Sequence, residues 1–161
     1  MNSPYSLRPA EPRDVPAIAG LIAELAEFEE LSHMLQLTPE KLYPHLFGPK
    51  PVVEALVGEL DGELVAFALY FTNFSTFLAK PGLYLEDLYV RPAHRRSGLG
   101  KLLLTRLAQI AVERDYGRFE WSVLDWNEDA IRFYENMGAS VLPEWRICRL
   151  TGEALAAYRK V

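Results

Sequence analysis

Apolar positions along the chain change period several times, and each change marks an element. Val15, Ile18, Ile22 and Leu25 recur at helical spacing up to about Phe28, and Asp14 with Pro16 reads as the helix start. Thr38-Pro39-Glu40 is a second start, with a hydroxyl cap, proline at the first helical position and an acid in the first turn. Glu29 to Leu37 reads as the loop between them. Tyr5 to Arg8 is a short extended stretch. Residues 52–60 and 63–71 are β-rich runs joined by Asp61-Gly62, a hairpin signal because glycine tolerates the positive φ of the turn. Residues 83–90 predict another strand. Leu99, Leu102, Leu103, Leu107, Ile110 and Ala111 then form the apolar stripe of a helix entered through Gly98. A strand over 119–124 follows, then a helix capped by Asn127 and stopped near Gly138, a last strand over 145–150 and a short helix from Thr151. An antiparallel hairpin followed by strand–helix–strand–helix predicts an α/β fold with a mixed central sheet, a right-handed crossover and a single domain over 1–161.

Composition narrows the function. Seventeen Lys and Arg against 22 Asp and Glu give a net charge of -5, the wrong sign for a nucleic-acid partner. No apolar run approaches the roughly 20 residues that span a bilayer, and Met1 to Tyr5 lacks a signal-peptide pattern, so the expectation is a cytoplasmic protein without a membrane partner. His33, His45 and His94 are too scattered to suggest a metal site. The lone Cys148 excludes an internal disulfide, and within a strand it is expected to be a small buried hydrophobe. Tyr70, Phe71, Phe74 and Phe77 read as core or subunit interface.

The most informative stretch is Arg91 to Lys101, RPAHRRSGLGK, between a strand and a helix. Glycine lets the backbone approach a ligand, and the first N–H groups of a helix have no partner within it, so this entry suits a phosphate. A Walker A loop fails because Leu102 follows Lys101, and a dinucleotide fingerprint fails because Leu103 stands where a third Gly or Ala is needed. From the glycines alone, a plain surface loop is the simpler reading. Arg95-Arg96-Ser97-Gly98-Leu99-Gly100 matches the R/Q-x-x-G-x-G/A pattern of the GNAT family of N-acetyltransferases. The chain resembles that family over nearly its full length, and especially its diamine and thialysine (spermidine/spermine-type) branch. The landmarks are AELAEFEEL at 23–31, YLEDLYV at 84–90, the glycine loop, VLDWN at 123–127, FYENMGA at 133–139 and LTGEAL at 150–155.

The resemblance implies a GNAT fold whose two central parallel strands splay apart, and acetyl-CoA as cofactor. Its pyrophosphate would meet the backbone of Arg96, Ser97, Gly98, Leu99, Gly100 and Lys101, with Arg95 opening the motif. Its pantetheine would lie along Leu88, Tyr89 and Val90, the Leu88 N–H polarising the thioester carbonyl. Asn127, Glu128, Asp129 and Ala130 correspond to a cofactor-contacting helix start, a role compatible with a plain N-cap at Asn127. Tyr134 corresponds to the general acid for the departing thiolate, although by itself it reads more readily as a core aromatic. Glu86 and Asp87 are adjacent in a strand, so alternation predicts opposite faces. The resemblance assigns Glu86 to binding and deprotonating the amine and leaves Asp87 structural.

On the acceptor side the resemblance implies Phe28 and Glu29, and Glu120, Trp121 and Ser122. Glu144 stands in a loop two residues shorter than the family's and is the counterpart of an acid that reads a distal amine. The implied activity is acetyl transfer to a primary amine of a small cation (thialysine, a diamine or a polyamine) within a ternary complex, by a homodimer. Two alternatives stand beside it: a peptide or protein N-acetyltransferase of the same fold, and a CoA-binding sensor without catalysis.

Overall fold

The computed structural model describes residues 3–159, which divide into two compact units, one ending at Ser122 and the other starting at Val123. In the first unit the order is β1 (Ser6–Pro9), α1 (Val15–Phe28), α2 (Pro39–Phe47), β2 (Glu54–Leu60), β3 (Glu63–Ser75), β4 (Lys80–Val90), α3 (Leu99–Glu113) and β5 (Arg118–Trp121). The five strands form one sheet in the order β1-β2-β3-β4-β5. The first four are antiparallel neighbours, and β4 and β5 are parallel, joined through α3, so the sheet is mixed as predicted.

Local chemistry accounts for the boundaries. Asp61 and Gly62 both take positive φ, 52° and 82°, as a tight hairpin between β2 and β3 demands. The Thr38 side chain accepts a hydrogen bond from the Lys41 N–H at 3.2 Å and so caps α2.

Alternation along the strands then sorts side chains to two faces. Val57, Phe67, Leu69 and Tyr89 point to one face and join Val15, Ile18, Leu21 and Ile22 of α1 and Leu42 and Leu46 of α2 in a single core cluster. On the other face lies α3, with Leu99, Leu103 and Leu107 buried. Leu99 lies so close to the sheet that a Cβ on Gly58 would stand 3.4 Å from its side chain and 3.2 Å from Ala66. Each fully buried aliphatic chain stabilises by about 1.5–3 kcal/mol relative to exposure, so these two stripes are what hold helices to sheet.

Four expectations are corrected. The hairpin of β3 and β4 runs on to Ser75 and Lys80, beyond the predicted 71 and 83, because Thr72 to Ser75 still pair with Lys80 to Leu83. Strand β5 ends at Trp121 rather than Leu124. Residues 145–150 form no strand: the segment is exposed throughout and has no ladder partner among the described residues, so its alternation is not converted into a sheet. Cys148 lies in that segment and is consequently exposed, not buried.

The second unit contains α4 (Glu128–Asn136) and α5 (Gly152–Ala156). Asn127 caps α4 by accepting from the Ala130 N–H at 3.3 Å, and Gly138, at φ 101°, follows its end. No helix among the described residues is long and apolar enough to cross a membrane.

Candidate functional site

The expected separation of Glu86 and Asp87 is overturned by one extra residue in β4. Leu69 of β3 pairs with Asp87, yet its neighbour Tyr70 pairs with Leu85, so Glu86 is the unpaired residue of a β-bulge. Tyr84, opposite Phe71, lies on the same face as Leu69, and alternation puts Glu86 there too. Asp87, opposite Leu69, belongs to that face as well. Both carboxylates therefore lie on the face that carries α1. The opposite face of β4 keeps an unbroken apolar row, Leu83, Leu85, Leu88 and Val90.

The bulge also lies where the ladder to β5 stops. Pairing of β4 with β5 covers Gly82 to Leu85 against Arg118 to Trp121, and among the described residues Asp87 to Val90 pair only with β3. Glu120 stands beside Tyr84 in register, and the Tyr84 hydroxyl lies 2.8 Å from Ser122 Oγ, so both reach the acidic face. Trp121 stands beside Leu85 and faces the other way, stacked 4.8 Å from Phe119. Glu120 has Arg118 Nε at 3.0 Å. The acceptor candidates of this unit thus divide, with Glu86, Glu120 and Ser122 on one face and Trp121 on the other.

Electrostatics single out a residue that the sequence reading left structural. Burial, and after it the negative charges of Glu86 and Glu29, push the Asp87 carboxyl up to about 6. Glu29, the C-cap of α1, is therefore part of the same acidic field. A carboxyl half-buried beside two like charges is stabilised by any cation that enters. A strand pattern cannot reveal a bulge, so alternation alone hid Asp87.

At its C-terminal end β4 runs into the glycine loop and α3. Arg96 takes φ 62° and Gly98 φ 85°, left-handed turns that swing the chain into the helix. Gly98 is the N-cap of α3, and the place its Cβ would occupy has no atom within 4 Å; for Gly100 the nearest is Val90 Cγ2 at 4.0 Å. The Leu99 N–H donates to Ser97 Oγ at 3.3 Å, and the two glycines leave room beside the positive end of this 15-residue helix. Arg96, Lys101 and the glycine backbone are a donor set suited to the pyrophosphate of a nucleotide cofactor. Arg95 is placed differently: its Nε donates to the Val90 carbonyl at 2.9 Å, and its guanidinium lies 4.6 Å from the centre of the Phe28 ring. Leu88 pairs with Ala68 and Tyr89 with Phe67, so the strand before the loop stays paired with β3.

In the second unit, burial raises the Tyr134 hydroxyl above the usual phenol value, which keeps it protonated and a donor at neutral pH. Its ring meets Phe133 edge-on at 5.7 Å. Asn127, Glu128, Asp129 and Ala130 form the cap and first turn of α4, the capping role foreseen for Asn127. Glu144 is exposed in a turn closed by the Trp145 N–H donating to the Leu142 carbonyl at 3.3 Å.

Comparisons with known proteins agree on one family. A family profile described as "Acetyltransferase (GNAT) family" matches residues 20–139. The chain is 38% identical to the L-ornithine N5-acetyltransferase NATA1 of Arabidopsis thaliana, over 96% of this chain and 88% of that protein. It is 37% identical to the thialysine N-epsilon-acetyltransferase of Mus musculus, over 92% of this chain and 94% of that protein. Among solved structures, an integron cassette protein from the mobile metagenome of V. cholerae superposes with a TM-score of 0.83 at 22% identity, covering 99% of this chain and 100% of that one. That likeness is one of fold.

Proposed function

The chain belongs to the GNAT acetyltransferase family and is an N-acetyltransferase, and from that premise we propose that its acceptor is a small cationic primary amine of the thialysine, ornithine or diamine type. The observation that carries this reading is the bulge at Glu86, which gathers Glu86, Asp87 and Glu120 on one face, within the field of Glu29, one strand-length from the glycine loop. A second ammonium or an amino-acid amine on the acceptor would find its countercharge in this group of acids. The named activities of the relatives support the same class.

Acetyl-CoA, when bound, would supply a thioester as the acetyl donor to the amine, with CoA as the leaving group. The chain's residues do the rest. The loop from Arg96 to Lys101 would hold the pyrophosphate, and Leu88, Tyr89 and Val90 would border the pantetheine arm. The Leu88 N–H would stabilise the charge that develops on the carbonyl oxygen. An ammonium has no lone pair, so its proton must leave first. Glu86 takes that proton, directly or through water, while Asp87, ionised above about pH 6, holds the cation in place. The family resemblance assigns the proton for the departing sulfur to Tyr134, whose burial keeps the hydroxyl protonated. Transfer is direct, within a ternary complex of both substrates. The exposed apolar tip of the β3–β4 hairpin, Phe74, Phe77 and Leu78, supports a homodimer, which sedimentation at micromolar concentration would detect.

The test is CoA release from acetyl-CoA with thialysine, L-ornithine, lysine, putrescine, spermidine and short peptides. Selective turnover of a small cationic amine is expected; turnover of peptides alone would overturn the acceptor class, and saturable acetyl-CoA binding without release from any acceptor would favour the sensor. In the same assay Tyr134→Phe should lower kcat about tenfold and leave acetyl-CoA affinity unchanged, the modest size reflecting a thiolate that already leaves readily.

A further inference from the structure

The loop between β4 and α3 is fastened to α1 at two points, and an arginine makes each fastening. Arg91 pairs with Glu24 at 3.0 Å. Arg95, four residues further on, places its guanidinium over the ring of Phe28, four residues after Glu24. That spacing puts Glu24 and Phe28 on one side of the helix, so two successive turns of α1 grip two successive positions of the loop. Tyr89 fills the space between: its hydroxyl donates to Glu24 at 3.3 Å, and its ring centre lies 5.5 Å from the Arg95 guanidinium.

The two ends of the Arg95 contact have different duties. Arg95 opens the glycine motif and is followed at once by Arg96 in its left-handed turn, so its side chain sets where that turn begins. Phe28 is the last residue of α1 and is 63% exposed, and the chain turns away after it through Glu30 at φ 59°. The ring of a residue so exposed takes little orientation from packing, and the guanidinium supplies it.

We propose that the Arg95–Phe28 contact couples the two substrate sites, so that an ordered cofactor loop orients the acceptor wall and an acceptor against Phe28 tightens the loop. Arg95 is then a positioning residue for the amine as well as for the loop. The inference rests on the reading of residues 96–101 as the acetyl-CoA cradle and of Phe28 as acceptor wall. Coupling of this kind is reciprocal: each ligand must change the affinity for the other by the same factor.

The experiment is a titration of acetyl-CoA against wild type, Phe28→Leu, Phe28→Tyr, Arg95→Lys and the double variant F28L/R95K, with kcat and KM for thialysine and L-ornithine measured alongside. Phe28→Leu should raise the Kd of acetyl-CoA about 2- to 5-fold, the scale of an exposed cation–π contact, although Phe28 lies outside the cradle. Phe28→Tyr keeps a ring and should restore wild-type affinity. Arg95→Lys should raise the amine KM by a similar factor with kcat little changed, and the double variant should be no worse than the poorer single, because one contact is lost once. The proposal is overturned if Phe28→Leu raises the amine KM while acetyl-CoA affinity stays as in wild type, if the two losses simply multiply, or if the variants lose kcat at constant KM. A wild-type protein that binds no acetyl-CoA overturns the cradle reading and the coupling together. One that binds it but acetylates neither amine leaves the acetyl-CoA titration of Phe28→Leu to decide the coupling.

Discussion

The two faces of β4 have opposite physical tasks. Towards α3 it presents Leu83, Leu85, Leu88 and Val90, a row in which every position contributes burial and none carries charge. Towards α1 it presents Tyr84, Glu86, Asp87 and Tyr89, two carboxylates between two rings. A regular strand could not do this, because two successive residues never share a face. The extra residue at Glu86 moves Asp87 onto the face of Leu69 and returns Leu88 to the apolar row, so the core is left intact while the acids are brought together. The cost falls on the acidic face, where Asp87 is half-buried beside like charges. Stability is concentrated on one side of this strand and chemistry on the other.

The contrast can be broken most severely from the apolar side. Leu83 is fully buried, and Leu83→Ala should destabilise the protein by about 2–5 kcal/mol in a denaturant melt. On the acidic side Glu86→Gln should leave the melt almost unchanged while lowering kcat/KM for the amine about 100-fold and altering the pH–rate profile. An unaltered profile would remove Glu86 from the proton-transfer role.

Asp87→Asn sharpens the contrast further, because the two readouts should move in opposite directions. The folded-state value of about 6 lies above the ordinary 3.8, so the folded chain holds the proton more tightly than the unfolded one. Stability therefore falls as pH rises from about 4 to 6, and above that window the charged carboxylate is a standing penalty. The Asn variant should be more stable than wild type by about 1–2 kcal/mol at pH 7.5, an advantage that vanishes below pH 4. Its amine KM should rise, since the countercharge is gone, and the limb of kcat/KM that climbs through about pH 6 should disappear. A variant destabilised at pH 7.5 would contradict the burial of a strained charge. The smallest change is Tyr84→Phe, which removes the hydroxyl next to Ser122; about 1 kcal/mol or less is expected in the same melts.

Local chemistry made much of the fold legible. The Asp61-Gly62 turn, the Thr38 and Asn127 caps and the Gly98 helix entry each depend on residues within a few positions of one another, and each occurs as read. Long-range pairing was less legible. Residues 145–150 alternate like a strand and are exposed without one, since alternation records a tendency and a ladder needs a partner. Residues 72–75 look too polar to extend β3, yet pairing with Lys80 to Leu83 extends it.

The candidate site divides along the same line. Residue types and spacing were sufficient for the glycine-entered helix and for the GNAT resemblance that singles out Glu86, because helix entries and family motifs are contiguous in the chain. Asp87 joining Glu86, Trp121 turning away from Glu120 and Ser122, and Arg95 engaging Phe28 depend on strand register and on where α1 ends against the sheet. Register is set by which apolar rows bury together, a choice made among all strands at once. The sequence by itself determined which chemical groups this protein owns, and only the packed sheet decided which of them meet.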